Sequence, residues 1–136
     1  ERISRLSNVI SINGGVQLDL MGQENAESTG TRQLSGIGGQ MDFLEGAYRS
    51  KGGKGFICIN SSRVTKDGER KCNILATIPG GSTISAPRTM IQYVATEYGI
   101  ASLSGKTLRE RAEAMASIAH PDFREELMKY AQENFK

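Results

Sequence analysis

Gly36-Ile37-Gly38-Gly39-Gln40-Met41-Asp42-Phe43-Leu44-Glu45-Gly46-Ala47-Tyr48-Arg49-Ser50-Lys51-Gly52-Gly53-Lys54 is the stretch on which the fold turns. Met41, Leu44, Ala47 and Tyr48 recur at helical spacing, and Asp42 and Glu45 sit near the start, where a helix dipole favours acids. The spacing predicts a helix over Met41–Ser50, preceded by a glycine-rich loop and ended by Gly52-Gly53. Lys54 then leads into Gly55-Phe56-Ile57-Cys58-Ile59, a short apolar run of the kind found in a buried, parallel strand. Loop, helix and buried strand in that order predict an α/β domain.

Working outward, Val9–Ile12 and Val16–Leu20 read as two short strands joined as a hairpin through Asn13-Gly14-Gly15. Residues Met21–Gln40 are polar and glycine-rich without a period, a long loop of the kind that often carries function. Downstream, Lys66-Asp67-Gly68-Glu69 is a turn, Cys72–Ile78 an apolar strand and Pro79-Gly80-Gly81 a second turn. Short extended pieces are expected near Ser82–Ser85 and Met90–Thr96. The last third is helical. Thr107 is the expected N-cap of a helix over Leu108–Ile118, with Glu110 completing a capping box. Pro121, preset for a first helical position, opens another helix towards Phe135. Without internal repeats or a disordered linker, residues 1–136 are expected to form one domain.

Composition narrows the function classes. Hydrophobic residues at 38% and charged residues at 24% exclude a disordered chain. No apolar run approaches the roughly 20 residues that a spanning helix needs, so no membrane partner is expected. A net charge of +2, with both signs interspersed, argues against a nucleic-acid partner, which calls for a concentrated basic face. Cys58 and Cys72 form no CxxC or zinc pattern. Reduced, buried thiols, a cytoplasmic location and no metal site are the expectation. The start at Glu1-Arg2-Ile3-Ser4 carries no signal-peptide pattern and no initiator Met, and reads as an excised piece.

A glycine loop opening onto a helix exposes backbone N–H groups at the positive end of the helix dipole. Such a loop can hold a phosphate, a carboxylate or a developing oxyanion, or it can be a plain tight turn; the residues leave both readings open. There is no Gly-Lys-Ser or Gly-Lys-Thr for a P-loop, and Gly36, Gly38 and Gly39 do not make GxGxxG. The second cluster, Lys51-Gly52-Gly53-Lys54, can let backbone approach a pyrophosphate with Lys51 or Lys54 supplying charge, but by itself reads more readily as a helix C-cap with solvated lysines.

Together the two clusters resemble a family signature. GxGGQxDFxxGAxxSxGGK is the pattern of the butyryl-CoA and 4-hydroxybutyrate CoA-transferase group of family I coenzyme A transferases, and residues 36–54 match each specified position. The likeness continues in Gln23-Glu24-Asn25-Ala26-Glu27-Ser28, in Thr96-Glu97-Tyr98-Gly99-Ile100-Ala101, in Gly105–Ala112 and in Ile118–Arg124, and so covers nearly the whole chain. Gln92 departs from it, standing where many relatives have a histidine, which weakens any statement about the acyl group.

The resemblance implies the C-terminal domain of an acetyl-CoA hydrolase/transferase-type enzyme whose N-terminal domain is absent from this chain. It implies a mostly parallel open sheet flanked by helices, of the NagB/RpiA/CoA-transferase class. It implies transfer of CoA between an acyl-CoA and a small carboxylate such as acetate, butyrate or 4-hydroxybutyrate, through a glutamyl-CoA thioester. CoA enters as substrate; no permanently bound cofactor is expected, and the full-length protein is expected to be a homodimer. On the matching positions, Gly38 and Gly39 N–H groups form part of an oxyanion hole, Gln40 positions the substrate carbonyl or anchors the loop, and Gly52, Gly53 and Lys54 line the CoA channel. The nucleophilic glutamate lies upstream, outside the chain, which is therefore expected to be catalytically incomplete. Glu24, Glu27 and Glu97 are weak substitutes; Glu27 reads better as a partner of Arg32 and Glu97 as a structural contact beside Tyr98. His120 before Pro121 reads as structural, Arg109 and Arg111 as a solvated helix face, and Arg88 as a candidate phosphate contact. Acetyl-CoA hydrolysis and a non-catalytic CoA-binding module are the alternatives.

Overall fold

The computed structural model describes residues 1–136. After a 3-10 turn at Ile3–Arg5 come β1 (Ile10–Gly14), β2 (Gln17–Asp19), β3 (Glu24–Asn25), β4 (Ser28–Thr29), β5 (Arg32–Gln33) and α1 (Gln40–Arg49). Then follow β6 (Lys54–Cys58), β7 (Ser62–Val64), β8 (Arg70–Cys72), β9 (Ile74–Leu75), β10 (Tyr93–Thr96), β11 (Gly99–Ser102), α2 (Leu108–Ser117) and α3 (Pro121–Asn134).

The main sheet has the order β1-β6-β10-β11. β6 is the run expected to be a buried parallel strand, and it is parallel to both neighbours; β11 alone is antiparallel. The expected mostly parallel sheet is therefore present. In-register triples such as Asn13, Ile57 and Val94 share one face, because side chains alternate along a strand. That face carries Ile57, Val94 and Ala101, and packs into a core with Leu44 of α1, Ala112, Met115 and Ala116 of α2, and Leu127 and Ala131 of α3. The close packing of α1 needs Gly55, where a Cβ would lie 3.2 Å from the Leu44 Cδ2.

Both C-terminal helices begin as their residues dictate. Thr107 accepts from the Glu110 N–H while Glu110 accepts from the Thr107 N–H, the expected capping box. Pro121 occupies the first turn of α3, and His120 Nδ1 accepts the Asp122 N–H at 3.3 Å, capping the helix.

Several local expectations are corrected. β1 and β2 do not form a hairpin: β1 pairs with β6, and β2 enters a second sheet of order β3-β2-β9. Gly15 serves a close approach instead, since a Cβ there would meet Glu24 Oε1 at 2.8 Å. The long loop Met21–Gln40 holds β3 and the small β4–β5 ladder, and of the strand expected over Cys72–Ile78 only Cys72, at the end of β8, and the two residues of β9 are extended. The thiols of Cys58 and Cys72 are half-buried, not buried. Arg111 is not on a solvated face: it is 8% exposed and donates to the carbonyls of Met21, Leu103 and Arg88, each at 2.8 Å. Its neighbour Arg109 is the solvated one, paired with Glu113 at 3.0 Å.

Candidate functional site

A ten-residue helix is about 15 Å long. α1 runs back along the sheet, so its two ends meet opposite sheet edges. Its C-terminal end joins the start of β6, where Lys54 N–H donates to Val9 carbonyl oxygen at 2.9 Å and Asn8 N–H to that of Lys51 at 2.8 Å. Its N-terminal end reaches the carboxyl ends of the parallel strands, where open α/β sheets bind ligands.

At that N-terminal end, Gly36–Gly39 is exposed and Gln40, the first helical residue, is buried. Gly38 has φ +58°, a left-handed backbone that suits glycine, and so turns the chain into the helix. Gly39 takes the N-cap position without a side-chain cap. The N–H groups of Gly38, Gly39, Met41 and Asp42 make no hydrogen bond within the chain. These free donors stand at the helix's positive end, the arrangement that stabilises an anion.

Behind the loop lies a buried carboxyl. Gln40 Nε2 donates to Glu24 Oε2, tying α1 to β3. Glu24 is wholly buried, and its Oε1 has no hydrogen-bond partner. That oxygen faces the position where a Gly15 Cβ would stand, beside Ile57 and Ile59. Burial pushes the Glu24 carboxyl up to about 7; the Gln40 bond pulls the other way, and Glu27 adds a smaller upward push. Sequence reasoning counted Glu24 only as a remote nucleophile candidate and missed its tie to Gln40. A wholly buried group that touches no open cavity cannot attack a substrate, so its place here is behind the loop, not in it.

The other carboxylates are also accounted for. Glu27 accepts from Ser85 Oγ at 2.7 Å and Gln33 Nε2 at 3.4 Å, not from Arg32. Glu97 accepts from the Ser61 O–H at 2.7 Å and N–H at 2.9 Å. Desolvation works to raise its pKa, but the Ser61 bonds outweigh it and hold the carboxyl below its ordinary value. His120 sits edge-on to Tyr98 and Phe123, with ring centroids 5.6 and 6.1 Å away. Gln92 Oε1 accepts the Gly55 N–H at 2.7 Å, binding β6 to the segment before β10.

The second glycine cluster lies one helix length away, so the structure does not gather Gly38, Gly39 and Gln40 with Gly52, Gly53 and Lys54 into one cavity. Gly52 has φ +75°, and a Cβ on Gly53 would stand 2.1 Å from the Ala47 carbonyl oxygen. Both glycines thus let the chain fold tightly against the end of α1. Lys54 is exposed. At the carboxyl ends of the strands, Gly15, Cys58, Ile59, Asn60, Ala95 and Thr96 line an open cleft of about 410 Å³. No helix is long and apolar enough to cross a membrane.

The acetyl-CoA hydrolase/transferase C-terminal domain profile matches residues 1–131. The butyryl-CoA:acetate CoA-transferase of Anaerostipes caccae is 48% identical over 131 residues, covering 96% of this chain and 29% of that protein. The 4-hydroxybutyrate coenzyme A transferase of Clostridium kluyveri is 48% identical over 133 residues, covering 98% and 30%. The crystal structure of RipA from Yersinia pestis superposes with a TM-score of 0.83 at 40% identity, over 96% of this chain and 29% of that one. The chain thus spans under a third of the length of the relatives it matches.

Proposed function

Because the chain belongs to the acetyl-CoA hydrolase/transferase C-terminal domain family, we propose that it is the CoA-binding and oxyanion-stabilising domain of an acyl-CoA:carboxylate CoA-transferase, whose N-terminal domain lies elsewhere in the parent polypeptide. The observation that carries this reading is the row of free N–H groups at Gly38, Gly39, Met41 and Asp42, which an exposed glycine loop leaves at the carboxyl edge of a parallel sheet. The reaction class needs such donors. A glutamate carboxylate outside the chain attacks the acyl-CoA thioester carbon, and the C–S bond breaks to give an acyl-glutamyl anhydride and CoA thiolate. The thiolate attacks the glutamyl carbonyl and releases the acyl group as its carboxylate. An incoming carboxylate then takes the CoA by the reverse steps. Each attack places negative charge on a carbonyl oxygen, which preorganised N–H groups stabilise.

In this reading Gly38 and Gly39 donate to the oxyanion. Gln40 acts by anchoring the loop, since its amide is already given to Glu24. Lys54, with Gly52 and Gly53 beside it, meets the phosphate end of CoA. The substrates are a short acyl-CoA and acetate, butyrate or 4-hydroxybutyrate, and the parent is a cytoplasmic homodimer.

The test is to incubate the full-length protein with butyryl-CoA and labelled acetate. Labelled acetyl-CoA forming faster than free CoA supports the transferase. Free CoA released at the same rate with or without acetate contradicts it and marks a hydrolase.

A further inference from the structure

A cavity of about 430 Å³ lies between the β7–β8 hairpin, β9 and α3, and none of its lining residues belongs to the glycine loop. That volume suits a small organic molecule. Its floor and its mouth differ in chemistry. Ile74 and Leu127 are buried at the floor, and Phe123 and Tyr130 of α3 supply half-buried aromatic walls. The mouth is charged: Arg63, Glu69, Arg70, Lys71 and Glu126 are all exposed.

Gln17 belongs to the floor and is the polar group out of place there. It is 5% exposed, and its Oε1 is enclosed without a hydrogen-bond partner. An acceptor left in that state costs about 1–3 kcal/mol, and buried amides are normally paired. A water is a poor remedy, because a buried water needs two or more polar partners and the floor around Gln17 is apolar. The missing partner is a donor carried on an apolar body.

At the mouth one cation stands free. Lys71 pairs with Glu69 at 3.3 Å, and Arg63 donates to Asn73 Oδ1 at 2.5 Å. Arg70 donates only to Ser62 Oγ, at 3.0 Å, and makes no ion pair. It shares one side of β8 with Cys72, which packs on the core, so its guanidinium is on the cavity side of the hairpin. Three basic and two acidic side chains line the mouth, one positive charge in excess. That balance suits a single carboxylate, which a guanidinium holds through two parallel bonds.

We propose that this cavity binds a small aromatic carboxylate bearing a hydroxyl at the end remote from its carboxylate. The ring lies against Phe123 and Tyr130, where aromatic contact adds to apolar burial. The hydroxyl donates to Gln17 Oε1, and the carboxylate meets Arg70.

Two cysteines make the test internal, since Cys72 lines this cavity and Cys58 lines the cleft at the sheet edge. Alkylation of both by N-ethylmaleimide is followed by peptide mass spectrometry in the full-length protein, with 4-hydroxyphenylacetate or phenylacetate added. At saturation 4-hydroxyphenylacetate slows Cys72 more than about tenfold and leaves Cys58 unchanged, because access controls thiol reaction. Phenylacetate lacks the donor and needs about five- to tenfold more for half the protection. Gln17→Leu, folded by circular dichroism, abolishes that preference. Arg70→Gln, at an exposed position, weakens both acids about tenfold and keeps the preference. Cys72 left unprotected by either acid overturns the proposal, as does protection shared equally by Cys58. Equal potency of the two acids on the wild type, or a preference that survives Gln17→Leu, also overturns it, because Gln17 then meets solvent only. So does a Cys72 that reacts in the 136-residue chain and resists in the full-length protein without any acid, since polypeptide then fills the cavity. Alkylation does not read CoA transfer, so each of these results leaves the proposed reaction untouched.

Discussion

The Gln40 amide donates to the carboxyl of Glu24, sixteen positions earlier in the chain, and this contact joins the first turn of α1 to the second sheet. The exposed glycine loop is thus held from behind by a buried polar pair. Few other contacts restrain it: the Gly36 and Gly38 positions have open space around them.

The pair gives stability a pH dependence of definite sign. Glu24 is raised from an ordinary value of 4.5 to about 7 in the folded chain, so its protonated form favours folding. The stabilisation is complete below about 4.5 and is lost as pH rises through about 7, amounting to about 3 kcal/mol. Glu24→Gln keeps an acceptor for Gln40 and cannot ionise. Urea unfolding at pH 5 and pH 8 shows the wild type weaker at pH 8 by that order, with the variant losing the difference. The opposite slope, or an unchanged slope in Glu24→Gln, excludes a buried carboxyl with a raised pKa.

Glycines that match one signature separate by structure. Gly53→Ala forces a Cβ onto the Ala47 carbonyl and destabilises by about 1–3 kcal/mol. Gly36→Ala meets nothing within 4 Å and has a φ open to any residue, so it stays within about 0.5 kcal/mol of wild type. Thermal unfolding of the two variants checks this; equal effects mean that Gly53 is not a packing glycine.

Arg111 holds three carbonyls from three separate segments, so Arg111→Ala leaves them buried and unpaired. The cost is on the order of 3 kcal/mol, and Arg111→Lys, lacking the planar fork, recovers only part of it. A loss under about 1 kcal/mol by urea unfolding means that water replaces the guanidinium freely.

The parts of this fold that were legible in sequence are those with local signals. α1 announced itself by spacing, β6 by an unbroken apolar run, and α2 and α3 by Thr107, Glu110 and Pro121. Asn13-Gly14-Gly15 carried a local hairpin signal, but a nonlocal contest decided the pairing: β1 found β6 some forty residues on. β11 was missed because Gly99–Ser102 is too short to show alternation. The 36–54 signature located the loop, yet its spacing could not distinguish glycines that pack from glycines that serve a ligand. Nor could it show Glu24, whose partner lies across a loop without period, or Arg111, whose partners are backbone carbonyls with no sequence signature.

The central claim is that the loop N–H groups stabilise the oxyanion of CoA transfer. Gly39→Pro removes one donor at a φ of −93°, about 30° from the value proline prefers, while Gly39→Ala retains it and places its Cβ at ordinary contact with the Phe43 ring. The kcat for butyryl-CoA and acetate is measured in the full-length protein with both variants. The account predicts a fall of about 10²–10³-fold in Gly39→Pro, with KM for butyryl-CoA little changed and Gly39→Ala close to wild type. A folded Gly39→Pro protein with wild-type kcat would contradict it, and would leave the glycine loop as a turn.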